Sequence, residues 1–528
     1  MSKITDYLGE RLDGEVTASP SVREKFSTDK SIFQITPDLV VYPRTINDIK
    51  KTARFVWRLA ERGQNLPITP RGFGTDTTGG AIGSGVILSF SDHMSRILEF
   101  DAKSQMVRVQ PGISHSTLQE VMATYGLFFP IKPTDSTATI GGMIAQNASG
   151  TKSVKYGPIL HAVDCVEVVL ANGEVIHTGR LNKRELSRKK GLQTMEGEIY
   201  RAIDALIDEN SDLIDDFATK DIPNAIGFPI HLVKDDKESF DLTPLMVGSQ
   251  GTLGIITQAI LRLAPLPEDT SLIAIATNPK TDLDALVPQI LDLGPSEFKF
   301  VDGDTLKFVQ KKTANASWKR LFDSLPDKIL FIEFDDKNRA KCVKKLKKIL
   351  TSMDITNVKI AESWEDQEKI RSVYKIVNEI VNFYERGTSA LPLMDNVFVD
   401  PKRMSEFILR AKEVLDHCHI GGGIWGNLGS GIITVRPLIN LENLGQRQAV
   451  NRFMSELRGV VIEFDGSIAA ETGEGRLHTP FAAEQYAGAM GKIFADIKKI
   501  FDPFNILNPG VKLGTTKNDL SEIMRKKM

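Results

Sequence analysis

The chain has 528 residues, of which 41% are hydrophobic and 25% are charged, and its formal net charge is −2. These values are typical of a soluble globular protein with about two or three domains, and they give no electrostatic case for binding nucleic acid. No apolar run reaches the roughly 18 residues of a transmembrane helix, no secretory signal is visible, and three scattered cysteines exclude a disulfide framework. We therefore expect a cytoplasmic protein, with peripheral membrane association left open.

Helix and strand signals mark the first part of the chain. Residues 1–35 are polar and predict an N-terminal arm with some helix. Thr45 is a suitable N-cap, with Asp48 in the first turn of the helix that should follow. Ser114 is expected to cap a second helix. Residues 106–110 alternate apolar and polar side chains, as a half-buried strand does.

A hairpin signal comes next, at 164–177. Two β-rich runs are joined there by Asn172-Gly173, a pair that suits a type I′ turn. From about residue 270 the pattern alternates strand and helix, which predicts two βαβ-type units on an antiparallel sheet. The predicted strands are 271–277, 328–334, 393–399 and 431–437, and the predicted helices are 281–293, 336–351, 401–417 and 445–459.

Three loops combine glycine with threonine or serine, at 67–80, 133–150 and 247–257. Glycine lets the backbone approach a ligand closely and adopt positive φ, and successive N–H groups in such a turn bind anions. The loops therefore favour a diphosphate ligand, although a plain surface turn is the alternative for each loop alone. Their spacing matches neither the G-x-G-x-x-G motif nor a P-loop.

The three loops, in this order, resemble the FAD-binding domain of vanillyl-alcohol-oxidase-type flavoproteins. The segment VGSQGTLGIIT at 247–257 is similar to that family's GSEGTLGIIT, and FDPFNILNPGVK at 501–512 resembles the end of its C-terminal domain. The resemblance runs from about Thr36 to Lys512. It implies an α+β fold, in which a PCMH-type FAD-binding domain of two α/β subdomains precedes a ferredoxin-like FAD-linked oxidase C-terminal cap domain with an antiparallel sheet.

Within that family, the stretch 181–245 resembles the flavin portion of FAD-dependent D-2-hydroxyacid dehydrogenases that act on D-lactate, glycolate or D-2-hydroxyglutarate. The last residues, 521–528, predict a frayed basic helix end. The resemblance divides the chain into an N-terminal arm (1–35), an FAD-binding domain that includes the 181–245 insertion (36–268), a substrate or cap domain (269–500) and a C-terminal segment returning to the flavin (501–528).

By position, the resemblance implies FAD as cofactor and assigns its binding residues. The diphosphate would lie against the first loop, the flavin and ribityl chain against the second, and the adenine side or the ring against the third. The first loop has Phe73 and no His, the residue that often links flavin covalently in this family, so we expect non-covalent FAD. The assigned residues are Pro70, Arg71, Gly72, Phe73, Gly74, Thr75, Asp76, Pro133, Asp135, Ser136, Gly141, Gly142, Ala148, Gly150, Gly251, Thr252, Ile256 and, near the flavin from the C-terminal segment, Asn508.

The resemblance implies oxidation of a 2-hydroxy acid, in which the Cα hydride passes to flavin N5 while a base takes the hydroxyl proton. Arg371 matches the arginine of a W-x-x-R segment, with Glu368 in place of Trp. It is our candidate for binding the carboxylate, which a guanidinium matches bidentately; a surface arginine is the alternative. Arg436 matches an R-P-L-L-N segment and is either structural or part of the active site.

The metal-binding segments of metal-assisted relatives differ here. Asn427 and Thr434 occupy the places of two histidine ligands, and Thr472 replaces the histidine assigned as base. Glu471 remains where a ligand carboxylate would be. Because zinc prefers several His, Cys or carboxylate ligands, we expect no metal site.

Another residue must then supply the base. His478 lies shortly after the altered segment, and the ordinary pKa of histidine suits a general base. A lone histidine is more often packed or exposed without a catalytic role. Glu471 and Glu474 are the other candidates, and each needs a pKa raised by burial.

Together these features predict an FAD-dependent oxidoreductase that dehydrogenates a D-2-hydroxy acid to a 2-oxo acid and passes the electrons to a separate acceptor, a quinone or an iron–sulfur protein. In such relatives a cysteine-rich region often follows on the same chain, and the sequence ends at Met528 without one. An iron–sulfur acceptor is therefore expected on another polypeptide. Alcohol oxidase or alkylglycerone-phosphate-synthase-like chemistry, a non-catalytic flavin-binding subunit, and a homodimeric state stay open.

Overall fold

The computed structural model describes residues 2–218, 226–235, 239–313, 316–486 and 488–527. These residues form a four-stranded, a five-stranded and a nine-stranded sheet, together with a two-stranded ribbon of Leu127–Phe128 and Ala264–Pro265. The predicted α+β class is confirmed, because the largest sheet is antiparallel and helices pack on it. Within the described ranges, no helix is both long and apolar enough to cross a membrane.

The first sheet leads into the first glycine loop. In sheet order its strands are Glu15–Thr17, Leu39–Tyr42, Val86–Ser89 and Ile68–Arg71. The last three are parallel, with helix Ile46–Ala60 as a crossover, and the loop follows the carboxyl end of Ile68–Arg71, where open parallel sheets bind ligands. Thr45 is the N-cap as predicted, and Asp48 accepts the backbone N–H of Thr45 at 3.1 Å.

The second sheet is antiparallel. In sheet order its strands are Ile97–Asp101, Met106–Val109, Ile255–Arg262, Val163–Val169 and Val175–His177. The predicted hairpin is confirmed, but the type I′ turn is wrong, because Gly173 has a positive φ of 82° and Asn172 does not. A type I′ turn needs positive φ at both central residues. Asn172 instead accepts the N–H of Glu174 through its side chain, at 2.9 Å.

Helices pack around these two sheets. Ser114 caps one of them as predicted, since its hydroxyl accepts the Thr117 N–H at 3.1 Å. Two helices and a strand of the first sheet lie within residues 1–35. The helices of this part of the chain are Ser2–Gly9, Pro20–Phe26, Ile46–Ala60, His115–Ala123, Ile140–Ala145, Ser153–Tyr156, Lys183–Lys190, Met195–Glu209, Ser211–Ala218 and Thr243–Met246.

The nine-stranded sheet is called the cap sheet here. In sheet order its strands are Val358–Ala361, Ser271–Thr277, Lys328–Phe334, Glu297–Asp302, Gly422–Asn427, Ile432–Asn440, Thr388–Ala390 and Tyr384–Glu385, with Met394–Phe398 paired to Ile432–Asn440. The strands and helices predicted after residue 270 are confirmed. The helices are Leu283–Leu291, Gly303–Thr313, Arg339–Ser352, Trp364–Tyr374, Val377–Val381, Met404–His417, Leu444–Glu463, Thr479–Gln485, Ala489–Phe501 and Lys517–Ile523.

The cap sheet turns its side chains into two hydrophobic cores. Ile332 packs in a core with the helix Arg339–Ser352, whereas its neighbour Phe331 points the opposite way, into a core with the helix Trp364–Tyr374. This follows from the pleat, because successive residues of a strand point to opposite faces. The register between strands therefore decides which polar residues share a face.

The C-terminal segment is fastened to the loops by a buried asparagine. The Asn508 side chain donates to the carbonyls of Gly80 and Gln250, both at 2.8 Å, and accepts from Thr69 Oγ1 at 3.1 Å. Asn508 is 1% exposed. It thus joins the first loop, the third loop and the strand Ile68–Arg71.

The last residues of the chain are anchored as well. The Arg525 N–H donates to the Ile32 carbonyl at 2.9 Å, and its guanidinium donates to the carbonyls of Asp29 and Phe33 at 2.5 and 2.8 Å. The frayed end predicted for 521–528 is therefore wrong at Arg525, because carbonyls of the N-terminal segment satisfy its donors.

Asn508→Ala should lower the free energy of unfolding by about 2–3 kcal/mol, because buried carbonyls lose their donor and cannot reach water. Urea denaturation followed by circular dichroism measures the loss. Asn505→Ala is the matched control, since Asn505 has a similar positive φ (51° against 43°) but is exposed; it should cost less than about 1 kcal/mol. Equal losses would mean that backbone strain, and not the buried hydrogen bonds, determines the result.

Candidate active site

A cleft lies between the three glycine loops. Loops that are far apart in the sequence therefore converge on one cavity. The assigned FAD-binding residues that line it are Pro70, Arg71, Gly72, Phe73, Gly74, Thr75, Asp76, Pro133, Gly141, Gly142, Ala148, Gly251 and Ile256.

The first loop presents free backbone donors to this cleft. In the part of the chain that the structure describes, the N–H groups of Phe73, Gly74 and Thr75 meet no acceptor. Gly74 has a positive φ of 72°. Successive free N–H groups in such a turn form an anion-binding concavity. A diphosphate would satisfy these donors, so the loop fits the part of FAD expected there.

Two glycines let the loops pack closely enough to form the cleft. A Cβ on Gly72 would lie 2.1 Å from Oγ1 of Thr139, the N-cap of helix Ile140–Ala145. A Cβ on Gly251 would lie 2.9 Å from the Pro70 ring, and Gly251 also has a positive φ of 72°. A side chain at either position would drive one loop away from the next.

The charged side chains of the first loop stabilise the loop itself. Asp76 accepts the N–H of Thr78 at 3.3 Å, the N–H of Gly80 and the side-chain amide of Gln146, and burial raises the pKa of Asp76. The guanidinium of Arg71 donates to the carbonyls of Phe26, Thr28 and Ala81, at 3.3, 2.8 and 3.1 Å. The donors that the loop leaves free are therefore backbone N–H groups.

The other assigned FAD-binding residues do not line the cleft: Asp135, Ser136, Gly150, Thr252 and Asn508. Asp135 pairs with Lys30 at 2.5 Å. Thr252 donates to a carbonyl of its own loop at 2.6 Å, and the Gly150 carbonyl accepts from Asn427 of the cap sheet at 3.2 Å. Asp135, Gly150 and Asn508 thus connect the loops to other parts of the fold, whereas Thr252 holds its own loop.

Sequence reasoning missed two polar residues of the cleft wall. Gln146 follows the helix Ile140–Ala145 and donates to Asp76. Gln250 has a φ of 52° and accepts the Gly475 N–H at 2.9 Å. Gln250 could have been found as the departure from Glu in the third loop, whereas no spacing signal marks Gln146.

Polar side chains meet on one face of the cap sheet, near the end of the second loop. The register pairs Glu297 with Glu333, Lys299 with Asn427, and Asn427 with Ile432. Because residues i and i+2 of a strand point to the same face, these pairs define one face across four neighbouring strands. Its polar residues are Glu297, Lys299, Glu333, Asn427, Thr434 and Arg436.

Glu333 links this face to the segment after the second loop. Lys152 donates to Glu333 at 2.6 Å and to Asp335 at 2.8 Å, and Lys155 donates to Asp335 at 2.6 Å. Arg371, on the helix above the same face, donates to Glu333 at 3.1 Å. One carboxylate therefore positions both the candidate carboxylate-binding arginine and a lysine from the other side of the site.

The remaining cations of the face are paired too. Arg436 binds Asp395 bidentately, with N···O distances of 3.0 Å from Nε and 2.5 Å from Nη2, and both side chains are largely buried. Lys299 pairs with Glu297. The guanidinium fork of Arg436 is thus already occupied by a protein carboxylate.

Glu471 differs from these carboxylates. Among the described residues its carboxyl has no hydrogen-bond or ion-pair partner, and burial together with the charge of Asp395 raises the pKa of Glu471 to about 7. Burial, with Glu297 and Glu471, also raises the pKa of Tyr374. Tyr374 lies one turn after Arg371 on the same helix, and Glu471 is near enough for its charge to act on the Tyr374 hydroxyl. Glu471 can take up a proton near neutral pH.

The other two candidate bases lie elsewhere. His478 is 1% exposed and has a pKa lowered to about 4 by burial. It does not line the cleft, and neither do Glu471, Arg371 and Arg436. Glu474 is fully buried, accepts the Gly227 N–H at 2.5 Å and pairs with Lys512 at 3.2 Å. Glu474 is thus engaged in contacts within the fold, and His478 is sealed from solvent.

Asn427 and Thr434, which the family resemblance places where relatives have histidine ligands, make hydrogen bonds within the protein. Asn427 donates to the Gly150 carbonyl at 3.2 Å and to Ser153 Oγ at 3.0 Å, and Thr434 donates to Asn396 at 3.3 Å. Counting only described residues, no group of three or more His, Cys, Asp and Glu side chains is placed to hold a metal ion. Asn427 connects the cap sheet to the second loop.

Comparison with known families matches both parts of the chain. Residues 37–179 match a model described as an FAD binding domain, and residues 266–511 match the C-terminal domain of FAD linked oxidases. The first two loops lie within the first match, and the cap sheet lies within the second.

Individual proteins with similar sequences or folds have also been characterised. D-2-hydroxyglutarate dehydrogenase of Pantoea ananatis is 27% identical over 516 residues, which cover 94% of this chain and 50% of the relative, so the chain spans about half of that relative's length. Glycolate oxidase subunit GlcD of Bacillus subtilis is 26% identical over 488 residues, covering 90% of this chain and 89% of the relative. The structure of 4-ethylphenol oxidase from Gulosibacter chungangensis covers 98% of both chains with a TM-score of 0.70 at 15% identity, which shows a shared fold.

Proposed function

The chain carries the FAD binding domain and the C-terminal domain of the FAD-linked oxidases, and from this premise we propose that it is an FAD-dependent dehydrogenase of a D-2-hydroxy acid. The observation that carries the proposal is the convergence of three loops, with free backbone donors, on a cleft close to a polar face of the cap sheet. The names of the relatives favour a hydroxy acid as substrate. The electrons would leave to a separate quinone or iron–sulfur acceptor.

FAD, when bound, supplies the two-electron acceptor for the hydride from Cα of the substrate. Glu471 takes the hydroxyl proton, because its pKa of about 7 allows it to be a carboxylate at neutral pH and still basic enough to be protonated. Arg371 holds the substrate carboxylate and is 34% exposed at its side chain. Loss of the hydride and the proton converts the hydroxy acid to the 2-oxo acid.

Two other predicted catalytic residues take different roles in this proposal. Arg436 positions Asp395 through its bidentate contact, and the charge of Asp395 helps to keep the pKa of Glu471 high. His478 is not the base, because a substrate cannot reach a side chain that is 1% exposed without rearrangement of the fold.

We expect FAD to dissociate when the protein is denatured with acid. No His, Cys or Tyr belongs to the described walls of the cleft, so the usual side-chain nucleophiles for covalent attachment are absent from them. After precipitation with trichloroacetic acid, the flavin absorbance should remain in the supernatant. Flavin fluorescence retained in the washed pellet would contradict this expectation.

Visible absorption spectra of the FAD-loaded protein under anaerobic conditions test the function. D-lactate, glycolate and D-2-hydroxyglutarate would be added in turn, with the L forms of the chiral acids as controls. Bleaching of the flavin by a D acid and not by its L form supports the proposal. Bleaching by glycolate, which has no chiral centre, supports it as well. A flavin that stays oxidised with every acid contradicts the proposed substrate, and failure to take up FAD contradicts the cofactor assignment itself.

A neutral alcohol is the second candidate substrate. It is favoured by the ion pairs of the site, since Lys152, Lys299, Arg371 and Arg436 each already have a carboxylate partner. A substrate carboxylate must share or displace one of those partners, whereas a neutral alcohol need not. Propane-1,2-diol, which has the carbon skeleton of lactate without its charge, separates the candidates by the same bleaching experiment.

A further inference from the structure

Tyr374 is the last residue of the helix Trp364–Tyr374 and lies one turn after Arg371. Residues three apart on a helix lie on the same face. That face is turned towards the polar face of the cap sheet, because Arg371 donates to Glu333 at 3.1 Å and Tyr374 packs against Phe331, two residues before Glu333 on the same strand. The tyrosine and the candidate carboxylate-binding arginine therefore lie side by side.

The ring of Tyr374 is held from two sides. It packs at 75° to the ring of Phe331, with the centroids 5.3 Å apart, and the ammonium group of Lys299 lies 4.3 Å from its centroid. Lys299 and Phe331 are partners on neighbouring strands, and Lys299 is itself paired with Glu297. A cation over the face of a tyrosine is attracted by the ring. These contacts restrict the ring and, with it, the position of the hydroxyl.

The hydroxyl of Tyr374 is not used within the described part of the protein. It has no hydrogen-bond partner there and is open to solvent, whereas the unpaired hydroxyl of Tyr200 is buried. Burial and the charges of Glu297 and Glu471 raise the pKa of Tyr374, so the hydroxyl keeps its proton at neutral pH. Tyr374 therefore offers an accessible hydrogen-bond donor that no described residue occupies.

A substrate carboxylate needs such a donor, because the charge of the neighbouring arginine is shared. Arg371 donates to Glu333 and also lies 3.5 Å from Glu368. A substrate anion competes with both carboxylates for this guanidinium, whereas the Tyr374 hydroxyl has no described partner to give up. A hydrogen bond from a neutral hydroxyl to a carboxylate is charge-assisted, and it is roughly twice as strong as one between neutral groups.

We propose that the Tyr374 hydroxyl donates a hydrogen bond to the carboxylate of the substrate, beside Arg371. The inference rests on the proposed function and adds a substrate-binding residue to the same site. Glu471 is near enough for its charge to act on this hydroxyl. Because the carboxylate and the hydroxyl of a 2-hydroxy acid are on adjacent carbons, Tyr374 can hold the first while Glu471 takes the proton of the second. This contact favours an acid over a neutral alcohol as substrate.

Tyr374→Phe tests the proposal, because it removes the hydroxyl and keeps the ring that Phe331 and Lys299 hold. The ligand is the 2-oxo acid formed from the hydroxy acid that bleaches the wild-type flavin, or oxalate if no acid does so. Its Kd for the oxidised, FAD-loaded protein is measured from the change that it causes in the flavin spectrum. The Kd should rise about 10–100-fold, as expected for the loss of a hydrogen bond to a charged group.

Turnover separates a role in binding from a structural one. In Tyr374→Phe the KM for the hydroxy acid should rise by a similar factor, while flavin reduction at saturating substrate stays within about three-fold of the wild-type rate. Tyr384→Phe is the matched control, since Tyr384 is 62% exposed on the edge strand Tyr384–Glu385 of the cap sheet. It should keep the wild-type Kd and KM. FAD content and thermal denaturation of both variants should match the wild type.

Three results would overturn the proposal and leave the proposed function standing. The first is a folded Tyr374→Phe protein with wild-type Kd and KM, and the second is an equal rise of Kd in Tyr384→Phe. The third is a slower flavin reduction with an unchanged Kd, which would place the hydroxyl at the reacting atoms and not at the carboxylate. A wild-type protein that is bleached by no hydroxy acid and binds no oxalate would overturn the proposed function and this contact together.

Discussion

Glu471→Gln is expected to lower kcat by about 10²–10⁴-fold on the hydroxy acid that reduces the flavin, because an amide cannot accept the hydroxyl proton. The carboxyl of Glu471 is left without a partner in the described structure, and its charge acts on Tyr374 of the helix that carries Arg371. Single-turnover reduction of the flavin in a stopped-flow spectrometer measures the loss. FAD content and the circular dichroism spectrum should stay as in the wild type, because the two side chains have nearly the same shape.

The pH profile distinguishes Glu471 from the other candidate base. A carboxylate acts as base only when deprotonated, so kcat/KM should fall as the pH drops below about 7, the pKa to which burial and Asp395 raise Glu471. If His478 were the base, the acidic limb would lie near pH 4, where burial places the pKa of that imidazole. The limb near pH 7 should be absent from the residual activity of Glu471→Gln.

Glu474→Gln is the matched control for this prediction. Glu474 is buried and also has a raised pKa, but it holds the Gly227 N–H and Lys512. Its replacement should reduce stability and leave the rate of flavin reduction within about three-fold of the wild type, since it does not reach the substrate. A loss of rate in Glu474→Gln as large as in Glu471→Gln would contradict the assignment of the base.

Gly72→Val should raise the Kd for FAD by about 100-fold, equivalent to about 2.8 kcal/mol. The new Cβ would lie 2.1 Å from Thr139 Oγ1 and 2.9 Å from its methyl carbon. Because Thr139 is the buried N-cap of the helix Ile140–Ala145, it cannot move aside alone, and the first and second loops must separate. Titration of the apoprotein with FAD, followed by quenching of flavin fluorescence, measures the affinity.

Gly9→Val serves as the control for Gly72→Val. A Cβ at Gly9 would meet no atom within 4 Å, and the residue ends a helix remote in sequence from the three loops. Its FAD affinity should equal that of the wild type. Thermal denaturation of both apoproteins shows whether Gly72→Val still folds. Wild-type FAD affinity in a folded Gly72→Val protein would mean that the contact between the loops does not shape the site.

Much of the fold follows from local patterns in the sequence. The Thr45 cap, the strands Ser271–Thr277 and Lys328–Phe334 and the alternation of strand and helix after residue 270 are confirmed, because capping and periodicity act over a few neighbouring residues. The glycine loops, taken together with the final segment, were sufficient to predict an FAD-binding domain and the C-terminal domain of FAD-linked oxidases.

The composition of the catalytic region depended on strand register, which no local pattern contains. Glu333 carries no motif, yet pairing places it beside Glu297, where it receives both Lys152 and Arg371. Burial likewise separated the candidate bases, since it sealed His478 inside and left Glu471 with a pKa near 7. The sequence by itself determined the elements and the glycine loops, because those signals are short-range. The tertiary structure alone decided which charges of the site are paired and that Glu471, among the described residues, has no partner, because pairing and desolvation depend on residues hundreds of positions apart.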